Sequence, residues 1–398
     1  MNNLNADPLN LEKDIKFLKN KVKIYNDQLS KKFNKIHNLK LSKSFWNIVL
    51  NYHLLNLCTV ILREYKYLKK KPNINYTKKK IYLPQSRTLE ESHMLFDHHS
   101  GELNQFIKYV IAKKMKIKTS KIKIILTKKN FLKIKKISLK NYFLTKIIRI
   151  YCHLFKPILI LNPFFGKRKT LNIFFKTKGR LLLIPADLFL EKNHMNCDLK
   201  KNYFRNKISI KEKDMFDKIF NEILKFTIPC SLTQNFYHYY NKNKDLSKKI
   251  KIIGSCGLLS SNDNYKFFSG LIKNHGGKLV ALQFGGEINK LKYQISELDE
   301  KTCCDKTFSW NEKEGFATNQ LHRLENHRNI IRNQVKPIKE NILIFPYPKN
   351  FNLPAKNLNE NYKRDLFKSY DYIFYKYLNY ENKKKTIIKI LQNQTKTK

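Results

Sequence analysis

The chain of 398 residues is long enough for two or three domains, and a hydrophobic share of 42% with 13% aromatic residues indicates a globular protein. The formal charge of +49 comes from 70 Lys and only 10 Arg, within a composition that an AT-rich genome favours. Since no zinc-finger, helix-turn-helix or RNA-binding signature accompanies the lysines, the charge predicts attraction to acidic lipid head groups and sugar nucleotides, and not nucleic-acid recognition.

The N-terminal part of the chain has a helical pattern. Between Leu11 and Leu68 apolar residues recur at spacings of three and four, and Ser42 is placed to cap a second helix. That helix carries an uncharged stretch, Phe45 to Leu62, which Asn and His residues such as Asn51 and His53 interrupt. We therefore predict a buried core helix and no transmembrane span. The charged N-terminus also lacks the apolar core of a signal peptide.

The next hundred residues have a less regular pattern. Residues 69–90 are polar and contain Pro72 and Pro84, so they predict a surface connection, and a helix is predicted from Glu102 to Lys114. Residues 113–184 alternate short β-branched runs with lysine clusters, which predicts short strands and helices.

Candidate metal ligands occur together in the segment FDHHSGE, which contains Asp97, His98, His99 and Glu102. Adjacent histidines in a loop before a helix are more often surface or capping residues, and no further ligand follows at a diagnostic spacing. We predict no metal site. The seven cysteines are scattered without a C-x-x-C pair, which predicts a reduced cytoplasmic protein.

From about residue 181 to 350, apolar strands and amphipathic helices alternate, which predicts one α/β unit with a parallel sheet. A strand is expected from Leu181 to Ala186, a helix from Ile210 to Lys225, and a further helix after Ile228-Pro229. A strand is then expected from Ile250 to Gly254, a helix from Asn264 to Asn274, and a second strand from Lys278 to Gln283. A glycine turn, Phe284-Gly285-Gly286-Glu287, follows that strand. Open α/β sheets bind ligands outside the carboxyl ends of their strands, so we expect the functional site there.

The predicted ligand-binding residues lie at those strand ends: Gly254, Ser255, Gln283, Gly285 and Gly286. Ser261 or Asn262 is placed to cap the intervening helix, whose N-terminal amides would face the same rim and could hold a phosphate. The alternative is that these glycines are turn residues of an α/β fold without a ligand. Neither a G-x-G-x-x-G fingerprint nor a phosphate-binding P-loop is present, so no cofactor of those kinds is predicted.

Carboxylates gather after the glycine turn. Glu297, Glu300 and Asp305 could each supply a general base, and a solvated acidic loop is the alternative. Asp305 directly precedes a strand-like run, so it is placed either to act in catalysis or to orient a loop. Further along the chain, Asn341 to Pro346 predicts a strand and Tyr362 to Leu391 predicts a helix.

The order of these motifs resembles a family of transferases encoded in bacterial surface-polysaccharide and lipopolysaccharide gene clusters. The segment KIHNLKLSKSFWNIVLNYHLLNLCTVILREYKYL is similar to a helical segment of that family. In the family, an Ile-Pro helix precedes a strand, a helix and a strand ending in Gln-His-Gly-Gly, and an acidic segment then leads to an Asp before a Thr-Trp strand. The corresponding residues here are Ile228-Pro229, Ile252 to Gly254, Gly276 to Gln283, Gly285-Gly286, Glu297, Asp305 and Trp310.

The resemblance implies a two-Rossmann-domain glycosyltransferase that moves a sugar or related group from a nucleotide sugar to a glycan or lipid-linked precursor. The family histidine is Phe284 here, and phenylalanine cannot exchange a proton, so Glu287 or Glu297 is the expected replacement base. By the same resemblance, we expect these 398 residues to lack most of the second nucleotide-type domain of such enzymes. The alternative is a catalytically degenerate scaffold that binds a partner transferase or an anionic membrane surface.

The sequence as a whole predicts a helical region at residues 1–112, a Rossmann-like α/β domain at residues 113–350, and a C-terminal helix with a polar tail at residues 351–398. We expect a protein of the cytoplasm or of the cytoplasmic face of the inner membrane, with a nucleotide sugar as donor substrate and no metal ion or other cofactor.

Overall fold

A computed structural model describes residues 8–70, 80–84, 100–117, 123–127, 139–163, 167–190, 203–283, 294–308, 342–344 and 386–388. Its first two elements are the long helices α1 (Pro8–Ile36) and α2 (Lys43–Lys70), which pack against each other. Leu18, Val22 and Tyr25 lie on the buried face of α1, at the helical spacing that the sequence predicted.

Helix α2 is the one described helix that is long and apolar enough to cross a membrane, and 94% of its most apolar window is buried inside the protein. Burial of this kind is typical of the core helix of a globular protein, which is the structure predicted for Phe45 to Leu62. The prediction of a core helix is therefore confirmed.

The remaining elements alternate between strands and helices. In chain order they are β1 (Lys80–Pro84), α3 (Ser100–Lys114), β2 (Lys123–Thr127), α4 (Leu139–Phe155), β3 (Ile158–Leu161), α5 (Lys167–Lys176), β4 (Leu181–Ile184), α6 (Tyr203–Lys207), α7 (Met215–Thr227), α8 (Phe236–Ser247), β5 (Ile252–Cys256), α9 (Leu258–Ser261), α10 (Asp263–Asn274), β6 (Lys278–Leu282), α11 (Ile295–Cys303), β7 (Lys306–Phe308), β8 (Ile342–Ile344) and β9 (Thr386–Ile388). Short 3₁₀ turns lie at Ala186–Leu188 and Cys230–Leu232.

Strands β3 to β7 form one sheet in the spatial order β4-β3-β5-β6-β7, and every pairing in it is parallel. Counted from its first strand the order is 2-1-3-4-5, the flavodoxin-like arrangement of doubly wound α/β folds. The helical N-terminal region followed by an α/β unit with a parallel sheet confirms the predicted fold class. In this order the chain reverses direction across the sheet between β3 and β5, which places the topological switch point there.

Helices α10 and α11 connect the N-terminal helices to the sheet. One buried cluster joins α1, α2, α3, α7 and α8, and it includes Phe267 and Leu271 of α10 and Ile295 of α11. A second cluster packs α10 and α4 against the strands. The contact between α10 and α2 is close, because a Cβ atom added to Gly270 would lie 2.9 Å from Cδ2 of Phe45.

Two predictions about local structure and one about the cysteines were wrong. The helix predicted from Tyr362 to Leu391 contains strand β9, whose β-branched residues pair with β8, and strand β1 lies within the predicted surface connection. Cys230 is disulfide-bonded, whereas a reduced protein was expected. Disulfide connectivity cannot be deduced from the spacing of cysteines alone, so the sequence did not indicate it.

Candidate functional site

The switch point lies between the ends of β3 and β5, where doubly wound sheets have their ligand crevice. After β3 the backbone turns at Asn162, whose φ is 54° and whose side-chain oxygen accepts a 2.7 Å hydrogen bond from the Ala186 amide. After β5 it turns at Gly257, whose φ is 69°. Since a left-handed conformation favours Asn or Gly, the sequence at both strand ends is suited to these turns. The two turns direct the chain away from the sheet on either side of the crevice.

The two predicted ligand-binding residues of β5 lie inside the sheet, and not in the loop that follows it. Gly254 pairs with Val280 of β6, and a Cβ atom added to it would lie 2.6 Å from Cδ1 of Ile160. Close packing of neighbouring strands therefore accounts for this glycine. Ser255 is buried in the next position, close to the hydroxyl of Tyr265 in α10.

Gln283 directly follows β6 at the carboxyl edge of the sheet. Its side chain is buried, and its backbone amide donates a 2.9 Å hydrogen bond to the Phe308 carbonyl at the end of β7. The glycine pair Gly285-Gly286, the substituted Phe284 and the candidate base Glu287 lie outside the described residues, as does the histidine pair of the FDHHSGE segment.

Helix α10 begins at the carboxyl edge, as the sequence predicted. The Asn262 side chain caps it by accepting a 2.9 Å hydrogen bond from the Tyr265 amide, and Gly276, with a φ of 81°, lies just after its C-terminal end. However, Asp263 occupies the first turn and is buried. A carboxylate of the protein therefore already lies at the positive end of this helix dipole, which disfavours a second anion there.

The Asp263 carboxylate belongs to a network of buried polar groups between α2, α10 and the turn at Cys230–Leu232. The fully buried Lys266 ammonium lies 2.8 Å from Asp263 Oδ1, and the Ser231 hydroxyl donates a 2.5 Å hydrogen bond to Oδ2. Lys266 also lies 5.0 Å from the ring centroid of Tyr52, at cation–π distance. We call this network, together with His53, Asn51 and Asp299, the polar layer.

Electrostatic interactions connect the other members of the polar layer. Burial, together with the charge of the neighbouring Lys266, lowers the pKa of His53 to about 3, so the imidazole is neutral at pH 7. Asn51 donates a 2.8 Å hydrogen bond to Asp299 Oδ1. The second oxygen of Asp299 is buried and accepts no hydrogen bond from the described residues. Burial accordingly raises the pKa of Asp299 to about 6.

Two further carboxylates of α11, Glu297 and Glu300, lie beside this layer. Burial, Asp299 and Glu297 together raise the pKa of Glu300 to about 8, so this carboxyl group holds a proton at neutral pH. The predicted base Glu297 is nearly buried and forms a 2.8 Å ion pair with Lys301. A carboxyl group whose pKa is raised to near neutral pH is able to transfer a proton.

Asp305 lies at the opposite edge of the sheet. Its carboxylate forms a 2.5 Å ion pair with Lys273 and accepts a 2.7 Å hydrogen bond from the Leu279 amide, while its own amide donates to the Leu279 carbonyl. These contacts connect the start of β7 to the start of β6 and lower the pKa of Asp305 despite its partial burial. Its position therefore supports the loop-orienting alternative.

The first turn of α5 also lies at the carboxyl edge, directly after β3 and the switch point. The helix begins with Lys167, Arg168 and Lys169 and has no acidic residue in that turn. The side chain of Arg168 is exposed. Cations at the positive end of a helix dipole are unfavourable on their own and become favourable beside an anion. This end of the crevice is thus the better phosphate site on electrostatic grounds.

Sequence analysis missed the polar layer, although two signals for it were present. Asp263 and Lys266 are three residues apart on a helix, which is an ion-pair spacing. Asn51 and His53 were used only to argue against a membrane span. No group of three or more His, Cys, Asp or Glu residues in the described part of the chain could hold a metal ion.

Comparison with known proteins gives one match. A family model described as LIC12162 family transferase matches residues 1–396. No curated protein and no solved structure matches the chain.

Proposed function

Because the chain belongs to the LIC12162 family of transferases, we propose that it moves a sugar or related group from a nucleotide-activated donor to a surface-polysaccharide or lipopolysaccharide precursor. The observation that carries this proposal is the switch point between β3 and β5, with the cationic first turn of α5 at one side. A nucleotide donor carries phosphates, and doubly wound sheets bind such ligands at the switch point.

We place the donor phosphates at the start of α5 because α10 already has Asp263 in its first turn. Backbone amides at the start of α5 would donate hydrogen bonds to a diphosphate, and the Arg168 guanidinium would offset part of its negative charge. The nucleoside would then extend towards the carboxyl ends of β5 and β6, close to Gln283.

We assign proton transfer to Glu300 in preference to Glu297. A group that accepts or donates a proton works best when its pKa is near the working pH, and the pKa of Glu300 is about 8. Glu297 is engaged by Lys301 in an ion pair. Glu287 remains a second candidate because it follows the glycine turn of the resembled motif.

Isothermal titration with a panel of nucleotide sugars tests the donor site. We expect one class to bind, and Arg168→Gln to weaken that binding about tenfold, the usual value of one charge-assisted hydrogen bond. Lys23→Gln on the exposed face of α1 is the matched control and should leave binding unchanged. Absence of binding to every nucleotide sugar would reject the donor site and favour the scaffold alternative.

A further inference from the structure

Helix α4 has two apolar faces, and only one of them is buried. Ile148 and Cys152 point into the core beside the sheet, and the hydroxyl of Thr145 donates a 2.7 Å hydrogen bond to the Leu188 carbonyl. The second face is exposed, with the side chains 58 to 66% accessible at Phe143, Ile147, Ile150, Leu154 and Phe155. Spacings of four, three and four residues align the first four of these side chains in one stripe.

Aromatic contacts extend this stripe onto α5. The ring of Tyr151 lies 4.7 Å from that of Phe155 and 5.8 Å from that of Phe174, and Phe174 in turn contacts Phe175. Phe175 is 70% exposed, and Leu171, one turn earlier on α5, is 56% exposed. We call the exposed side chains of both helices the apolar face. Contiguous apolar surface of this kind marks a site of interaction with another protein or a membrane.

A cationic depression adjoins the apolar face. It has a volume of about 510 Å³, lies where α5 leads into β4, and is lined by Ile158, Lys176, Thr177, Lys178, Arg180 and Leu181. The three cationic side chains in it are exposed. The depression is open to solvent and large enough for a phosphate group with its substituents.

The surrounding sequence has one sign of charge only. Between Glu102 and Asp187 the chain has 22 Lys and Arg residues and no Asp or Glu. A protein partner for such a surface would need an apolar patch within a strongly acidic rim. A bilayer with anionic lipids offers both properties together, since acyl chains accept apolar side chains and the head groups attract Lys and Arg.

We propose that the apolar face of α4 and α5 inserts into a bilayer that contains anionic phospholipid, with head-group phosphates bound in the depression at Lys176, Lys178 and Arg180. The depression that binds the head groups lies at the amino edge of the sheet, opposite the crevice between β3 and β5. This membrane contact needs no donor substrate, so vesicle binding and nucleotide-sugar binding succeed or fail independently.

Flotation of the full-length protein with vesicles tests the proposal. The protein should bind vesicles of phosphatidylcholine mixed with phosphatidylglycerol and not vesicles of phosphatidylcholine alone. Binding should weaken as salt is added, because the head-group attraction is screened. Absence of binding to the mixed vesicles at low salt would overturn the proposal.

Charge-reversal variants test the depression. The triple variant combines Lys176→Glu, Lys178→Glu and Arg180→Glu. It should lower the partition coefficient of the protein between vesicles and water by about 100-fold or more, because an anionic lipid surface attracts each of the three cations. The control reverses three exposed lysines on α1, with Lys16→Glu, Lys19→Glu and Lys23→Glu, and should change it by less than about threefold. An equal loss in both variants would show that net charge alone binds the vesicles and would reject a defined surface.

Apolar variants test insertion. Ile147→Ser with Leu154→Ser should lower the partition coefficient about tenfold or more, whereas the exposed control pair Ile24→Ser with Met215→Ser should not. Light scattering of the same proteins gives the oligomeric state without lipid. A wild-type dimer that the first pair of substitutions converts to a monomer would assign the face to a second copy of the chain and overturn the proposal.

Discussion

The ion pair of the polar layer supports a quantitative prediction. In Lys266→Met the side-chain volume is nearly kept, but the buried Asp263 carboxylate loses an ammonium group 2.8 Å away. Only the hydrogen bond from Ser231 and the interactions with other polar groups then stabilise its charge. Removal of one partner of a buried pair costs about 3 to 5 kcal/mol of unfolding free energy.

A second substitution separates the cost of the isolated charge from the cost of the altered packing. Asp263→Asn in the Lys266→Met background removes the charge and keeps a hydrogen-bonding oxygen for Ser231. Neutral replacement of a buried pair is often close to neutral in stability, so we expect the double variant to recover at least half of the loss. The control is Lys248→Met, since Lys248 is exposed and pairs with Asp245 at 3.8 Å; it should cost less than about 0.5 kcal/mol.

Urea unfolding followed by circular dichroism measures these differences. With a slope of about 3 kcal/mol per molar urea, the single variant should lower the midpoint by roughly 1 to 1.7 M. A midpoint within about 0.3 M of the wild type would mean that water or a counter-ion replaces Lys266 at little cost. The interpretation of the polar layer as a dry, tightly coupled network would then be wrong.

Three further changes have defined outcomes. The pKa of Glu300 is about 8 in the folded protein and 4.5, its ordinary value, in the unfolded chain. The folded state therefore loses its proton between pH 6.5 and 8, and the unfolding free energy should fall by about 1.5 to 2 kcal/mol over that range. Glu300→Gln should remove this fall in urea titrations. Gly254→Ala should cost about 1 to 3 kcal/mol in the same assay because its Cβ would meet Ile160, and an unchanged midpoint would contradict this. Asp305→Ala should lower the unfolding free energy by about 1 to 2 kcal/mol, because the Leu279 amide loses its hydrogen-bond acceptor. Nucleotide-sugar binding should stay intact, and loss of binding in a folded variant would show that Asp305 has a role in the site.

The sequence alone was sufficient for the fold class because local patterns determine it. Apolar runs with β-branched residues gave the strands β5 and β6, and the cap at Asn262 gave the start of α10. The strand order could not be predicted, because it depends on which strands pair across long chain separations. The pairing of β3 with β5, which creates the switch point, joins residues about ninety positions apart.

The site was predicted less completely than the fold. Two of the predicted residues, Gly254 and Asp305, are explained by packing and by loop contacts in the structure. The pKa values of Asp299 and Glu300 depend on burial under helices that come from distant parts of the chain. Burial of a carboxylate is a property of tertiary packing, and no spacing in the sequence indicates it.

The contribution of α2 to the polar layer has a consequence for the synthesis of the protein. Helix α2 leaves the ribosome early, directly after α1, but its packing partners α10 and α11 end more than 200 residues later, at Asn274 and Cys303. At 5 to 20 residues per second, that interval lasts roughly 10 to 45 s. During this time α2 has only α1 and the earlier helices α3 and α7 for cover, so nascent chains should depend on a chaperone that holds apolar helices until translation passes α11.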